Sequence, residues 1–110
     1  DDALKEYAKA NGLKSVIGKA ITITGNGKVG FGADGNPVFG MIQKYEEDGA
    51  VNVQDGGYML LPCDSAALPT VGTDFFVSVN GAGLVKKGAA NKYGFVVSVD
   101  SKNNLVEILL

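Results

Sequence analysis

The side chains with a claim to chemistry in this chain are twelve carboxylates, ten lysines and a single thiol, Cys63, with no histidine and no arginine beside them. Two carboxylates at a fixed separation would suffice for glycoside hydrolysis. Nearly all of the acids, however, stand in turn-like stretches where carboxylates are simply solvated. Without histidine no side chain has an unperturbed pKa near neutrality, so acid–base work would rest on a strongly shifted carboxylate or lysine. Imidazole ligation of zinc or copper is excluded, and one cysteine cannot build a thiolate cage. Glu46, Glu47 and Asp48 form the densest acidic cluster. They lack the alternating acid spacing and distal glutamate of a calcium loop, and read as a solvated turn. Cys63 follows Leu60, Leu61 and Pro62 and reads as a small buried apolar residue, with a nucleophile or an interchain bridge as the alternative. Gly25, Gly27 and Gly30 spell G-x-G-x-x-G after a strand-like run. Phe31-Gly32-Ala33-Asp34-Gly35 follows instead of the helix that a dinucleotide site requires, so these are hairpin glycines. No catalytic residue, metal site or cofactor is expected.

Charge and composition narrow the partners. A net charge of −2, a pI near 4.9 and the absence of arginine argue against nucleic acid. Between Asp34 and Asp74 seven acids face Lys44 alone, a local balance of −6, so a partner contacting this segment should offer positive or polar groups. With 45% hydrophobic and 20% charged residues in 110, the chain reads as one globular domain. No apolar run approaches the ~18 residues of a membrane span, and no signal-peptide pattern opens the chain. It begins at Asp1 rather than Met, which suggests that something was cleaved, trimmed or left out of the numbering. Assembly in the cytosol is the expectation.

The elements that must position these residues are short and mostly extended. Residues 1–11 alone have helical spacing, with Ala3, Leu4, Tyr7 and Ala8 on one face and Gly12 as the stop. So short a helix needs a surface to lie on: its own domain, a neighbouring subunit or a partner. Lys19 to Thr24 alternates as a half-buried strand with Ile21 and Ile23 on one face, turns at Gly25-Asn26-Gly27, and returns through Val29, Phe31 and Ala33. From Asp34 to Pro62 three apolar runs separated by Asp-Gly turns predict a three-stranded antiparallel meander, in which Gly40 marks a bulge or a close backbone approach. Asp64 to Gly72 reads as a crossover between sheets. Asp74–Asn80 with Leu84–Lys87, and Tyr93–Val99 with Leu105–Leu110, read as hairpins. The fold class is therefore mainly β, a small antiparallel barrel or sandwich of roughly seven to nine strands with a short N-terminal helix or arm.

Several pieces taken in order resemble the small phage capsid decoration (cement, head-stabilising) proteins. They are Ile17-Gly18-Lys19-Ala20-Ile21, Asp34-Gly35-Asn36-Pro37-Val38-Phe39-Gly40, Asp48-Gly49-Ala50-Val51-Asn52-Val53-Gln54 and Gly57-Tyr58-Met59-Leu60-Leu61-Pro62. The series continues through Val71-Gly72-Thr73-Asp74, Gly83-Leu84-Val85, Gly94-Phe95-Val96-Val97 and Val106-Glu107-Ile108-Leu109-Leu110. Together they cover most of residues 16–110, so the domain expected is 16–110, with residues 1–15 as an arm outside the match. The resemblance implies a β-barrel-like virion protein on the outer surface of an expanded capsid, assembled in the host cytoplasm. It would bridge major capsid subunits, often as a homotrimer, with no enzyme activity, metal, cofactor, nucleic acid or membrane. The expected capsid or subunit contacts are the helical face Leu4, Tyr7 and Ala8 and the acidic turn Glu46, Glu47 and Asp48.

The rival reading is a β-barrel or sandwich module for carbohydrate or peptide. Sugar platforms present clustered exposed aromatics, whereas this chain has no tryptophan and scatters Tyr7, Tyr45, Tyr58 and Tyr93. Phe31, Phe39, Phe75, Phe76 and Phe95 read mostly as core.

Overall fold

A computed structural model describes residues 2–71, 77–88 and 95–109. The helix forms where its spacing predicts, as α1 (Asp2–Asn11). It stops at Gly12, whose φ of +97° suits a residue without Cβ and whose N–H donates to the Ala8 carbonyl at 2.8 Å. Leu4 and Ala8 are buried, Tyr7 is half-buried and Ala3 is exposed. A short 3-10 turn, Leu13–Val16, follows and buries Val16.

Nine strands are described: β1 (Ala20–Gly25), β2 (Lys28–Gly30), β3 (Gly40–Tyr45), β4 (Val51–Gln54), β5 (Tyr58–Pro62), β6 (Val77–Val79), β7 (Val85–Lys87), β8 (Phe95–Asp100) and β9 (Leu105–Leu109). They pair antiparallel in three sheets, ordered β2-β1-β3-β4, β5-β9-β8 and β6-β7. Among the described residues no sheet closes on itself, so the mainly β architecture is sandwich-like rather than a closed barrel. The N-terminal parts of the predicted strands at Asp74–Asn80 and Tyr93–Val99 lie outside the described residues, as do Phe75, Phe76 and Tyr93.

The strands β1 and β3 divide the interior. Successive residues of a strand point to opposite faces, and here each face has its own core. Ala20 and Met41 pack with Val38, Met59, Leu61, Cys63, Val79, Val85, Val96, Val106 and Ile108. Their neighbours Ile21 and Ile42 pack on the other side with Leu4, Ala8, Val16, Phe31 and Tyr45. The order of layers is thus helix, four-stranded sheet, then the two smaller sheets. The first residues of the expected arm meet the sheet directly, because Leu4 and Ala8 share a core with Val16, Ile21, Phe31, Ile42 and Tyr45.

Three local expectations change. The meander has two strands rather than three, because β5 leaves β4 and pairs with β9 from Tyr58–Leu109 to Pro62–Leu105. The Gln54 amide closes the intervening turn by donating to the carbonyls of Gly56 at 3.0 Å and Tyr58 at 2.9 Å. β2 ends at Gly30, leaving Phe31 buried and Ala33 exposed beyond the strand. In β1 the alternation fails: Ala20, Ile21 and Thr22 are all buried, whereas Ile23, Thr24 and Gly25 are all exposed. The β1–β2 hairpin projects past the core, so its outer half covers nothing.

Gly35 and Gly49 hold the positive φ expected of Asp-Gly turns, +93° and +95°, whereas at Asp55-Gly56-Gly57 it is Gly57, at +81°, that does so. Gly40 is the close approach rather than the bulge. A Cβ there would meet the Gln54 carbonyl oxygen and Val53 Cγ1 across the β3–β4 pair, and backbone must move to admit it. Gly40→Ala should therefore cost roughly 2 kcal/mol or more, the upper part of the overpacking range. Gly49→Ala, which meets no neighbour, should cost only the ~1–2 kcal/mol of a left-handed alanine. Urea unfolding midpoints of the two variants check the order.

Two surface carboxylates serve as turn locks. Asp100 is held below the usual carboxylate range first by the Asn103 side-chain amide at 2.8 Å, then by the N–H groups of Asn103 and Lys102. Asp64 is lowered first by the Ala66 N–H and then by the Asn80 amide. A depressed folded pKa contributes stability that is present above the unfolded value, near 3.9, and is lost as pH falls through the folded one. The melting temperature should fall on acidification in that window, and Asp100→Asn, which removes one titrating group, should make the fall smaller.

Candidate interaction surface

The helical residues expected at a contact are consumed internally. Leu4 is 1% and Ala8 2% exposed. Tyr7 meets Phe31 edge-on, with ring centroids 5.6 Å apart at 81°, and Lys19 Nζ lies 5.2 Å from the Tyr7 ring centroid. These contacts hold the helix to its own sheet, with Leu4 and Ala8 enclosed within the protomer. A side chain already enclosed must leave the core to dock elsewhere. Glu46, Glu47 and Asp48 are exposed in the β3–β4 turn. Asp48 caps the turn through the Ala50 N–H at 3.0 Å, and Glu46 makes a solvent-exposed pair with Lys44 at 3.1 Å. Such a pair contributes little by itself. Two open hollows lie where Leu4 and Ala8 come near Glu47 and Asp48. One, about 450 Å³, runs past Leu4, Lys5, Lys28, Val29 and Asp48, and another of about 410 Å³ past Lys5, Ala8, Lys9 and Glu47. Both signs of charge line them.

A different surface stands out. On the sheet β5-β9-β8 the inward row is Met59, Leu61, Val106, Ile108 and Val96. The outward row should be polar in a sheet with one solvated face. Instead Tyr58 is 63%, Leu60 53%, Phe95 53% and Val97 40% exposed. The register sets Tyr58, Leu109 and Phe95 side by side across the three strands, and Leu60, Glu107 and Ser98 in the next outward row. The irregular step between Val96 and Ser98 places Val97 outward as well. Glu107 is the charged residue in the middle of this face, and its carboxylate lies 3.5 Å from the Ser98 hydroxyl. A contiguous exposed apolar patch marks an interaction surface more often than a scatter of single residues does. Phe95 was expected in the core and is not there. The signal that would have found this face is the loss of alternation in Tyr-Met-Leu-Leu and Phe-Val-Val, where both faces of a strand read as apolar.

The groups with reactive potential are placed structurally. Cys63 is 3% exposed within the larger core, and burial first, with the adjacent Asp64 charge second, pushes its thiol up to about 11. It should react with iodoacetamide at neutral pH far more slowly in the folded protein than in urea, because the thiolate is the reactive form. Comparable rates in the two states would contradict its burial. Gly25, Gly27 and Gly30 lie on the β1–β2 hairpin. Among the described residues no group of three or more acidic or cysteine side chains gathers as a metal-ligand set. No described helix is long and apolar enough to cross a membrane.

No protein-family model, curated protein or solved structure matches the chain.

Proposed function

We propose that the protein is a non-enzymatic structural component of a phage virion. In this reading it binds the outer surface of an expanded capsid and stabilises it by bridging neighbouring major capsid subunits, with a homotrimer as the favoured assembly. The observation that carries the reading is the apolar outer face of β5-β9-β8, together with the ordered resemblance across residues 16–110. A rigid sheet presenting Tyr58, Leu60, Phe95 and Val97 around Glu107 suits an interface of exposed aromatic anchors and few charges. Its complement is an apolar surface carrying one lysine or arginine opposite Glu107. Stabilisation of this kind needs no chemistry: many copies, each burying on the order of 1,000 Å² or more, resist internal pressure. Co-sedimentation with expanded capsids, and not with immature ones, tests the proposal. Failure to bind either form overturns it.

One observation favours the carbohydrate or peptide module as a second reading. Tyr58 and Phe95 both stand exposed on one face, separated by a single strand, roughly 10 Å apart across the sheet. Glycan-array binding lost on Tyr58→Ala, without capsid binding, would select it.

A further inference from the structure

The chain contains three Asn-Gly pairs, Asn11-Gly12, Asn26-Gly27 and Asn80-Gly81. An asparagine before glycine carries a latent reaction. The glycine nitrogen attacks the asparagine Cγ, the bond from Cγ to Nδ2 breaks, and ammonia leaves with the proton that the glycine nitrogen gives up. The resulting succinimide is opened by water at either carbonyl, giving aspartate or isoaspartate. No oxidant or reductant is involved. The step needs a side-chain amide free to rotate onto the glycine nitrogen, and a nitrogen not already committed to a hydrogen bond.

The fold treats the three pairs differently. At the end of α1 the Asn11 amide donates to the Tyr7 carbonyl at 3.0 Å, and the Gly12 nitrogen is engaged with the Ala8 carbonyl at 2.8 Å. At the β6–β7 turn Asn80 is held at both ends of its amide. Its Oδ1 accepts from the N–H groups of Ala82 at 2.8 Å and Leu84 at 3.2 Å, and its Nδ2 donates to Asp64 at 3.3 Å. Gly81 is also packed, since a Cβ there would stand 3.2 Å from the Asp34 nitrogen. Asn26 has none of this. It sits at the tip of the β1–β2 hairpin, where every residue from Ile23 to Lys28 is exposed, and its side chain has no hydrogen-bond partner among the described residues. Gly27, at φ +69°, has open space around it.

We propose that Asn26 is a self-modification site, at which the folded protein passes through a succinimide to aspartate and isoaspartate with water as the only co-reactant. The products differ in consequence. Aspartate adds one negative charge beside Lys28 and leaves the main chain intact. Isoaspartate inserts a methylene into the main chain of a two-residue loop that joins the paired residues Gly25 and Lys28. Hairpin register depends on loop length, so the isoaspartyl form should lose the β1–β2 pairing near the tip.

The test ages the full chain at mildly alkaline pH in two states, native and unfolded in urea, and follows each Asn-Gly peptide by mass spectrometry in ¹⁸O-water. In urea the three pairs should react alike. In the native protein Asn26 should keep its unfolded rate to within a few-fold, whereas Asn11 and Asn80 should slow on the order of tenfold or more, as expected for breaking one or two hydrogen bonds first. Label uptake at residue 26 marks hydrolysis of the succinimide. Native protection of Asn26 equal to that of Asn80, or faster native reaction at Asn11 or Asn80, would overturn the assignment. So would an Asn26 that stays intact in both states.

Discussion

Deleting residues 1–12 should unfold the domain or bring it close to unfolding. The deletion removes Leu4 and Ala8 from a core whose other members are Val16, Ile21, Phe31, Ile42 and Tyr45. It also strips the edge-on partner from Phe31 and opens one face of the four-stranded sheet to water. The single change Leu4→Ala isolates part of this. Leu4 is among the largest fully enclosed side chains, and truncating such a leucine costs ~2–5 kcal/mol, against a total domain stability of about 5–15 kcal/mol. Leu4→Met, which conserves volume, should cost less than about 1.5 kcal/mol, and Lys5→Ala on the exposed side should stay within about 0.5 kcal/mol. Urea denaturation of the four proteins gives the ranking. A truncated chain that melts like the full one would remove the helix from the core and restore its role as an assembly arm.

Changing Leu60→Lys together with Phe95→Ser should leave folding almost untouched and abolish the capsid binding proposed above. Both side chains are 53% exposed, so little burial is lost in the monomer. At an interface the same residues would be central anchors, and two anchors at ~2 kcal/mol each give a loss on the order of several hundredfold. The acidic turn provides the contrast. Neutralising Glu46, Glu47 and Asp48 together should slow association and flatten its salt dependence, because exposed charges act over a Debye length of about 8 Å at physiological salt and steer encounter more than they hold a complex. Capsid binding measured across a salt series for the wild type, the double variant and the neutral turn separates the two surfaces. Undiminished binding by the double variant would take the sheet face out of the interface.

Most of the individual elements were legible in the residues. Helical spacing in Leu4, Tyr7 and Ala8, the Gly12 stop, the Asp-Gly turns and the hairpin signals at Asn80-Gly81 and Asp100–Asn104 all rest on local backbone preference, which acts within a few residues. Its apolar neighbours placed Cys63 in the core, and turn chemistry placed the glycine motif on a hairpin. The expected contact residues rest on weaker signals. An amphipathic helix shows that it must bury a face, without showing what covers it. Acids in a turn show exposure and nothing more. The sheet face was hidden because Tyr58, Leu60 and Phe95 look like core residues in a one-dimensional pattern.

The sequence by itself determined a mainly β domain with one short helix, punctuated by glycines whose positive φ values turn the chain, and chemically sparse for want of histidine and arginine. Only the tertiary structure decided which strands pair. β5 lies next to β4 in the chain, yet it finds β9 some fifty residues later, because Met59 and Leu61 complete the core formed by Val106, Ile108 and Val96. The same step turns Tyr58 and Leu60 outward. Local preference reports what each residue does to its own backbone. Pairing and exposure depend on which apolar faces meet across the whole chain, and that energy is non-local.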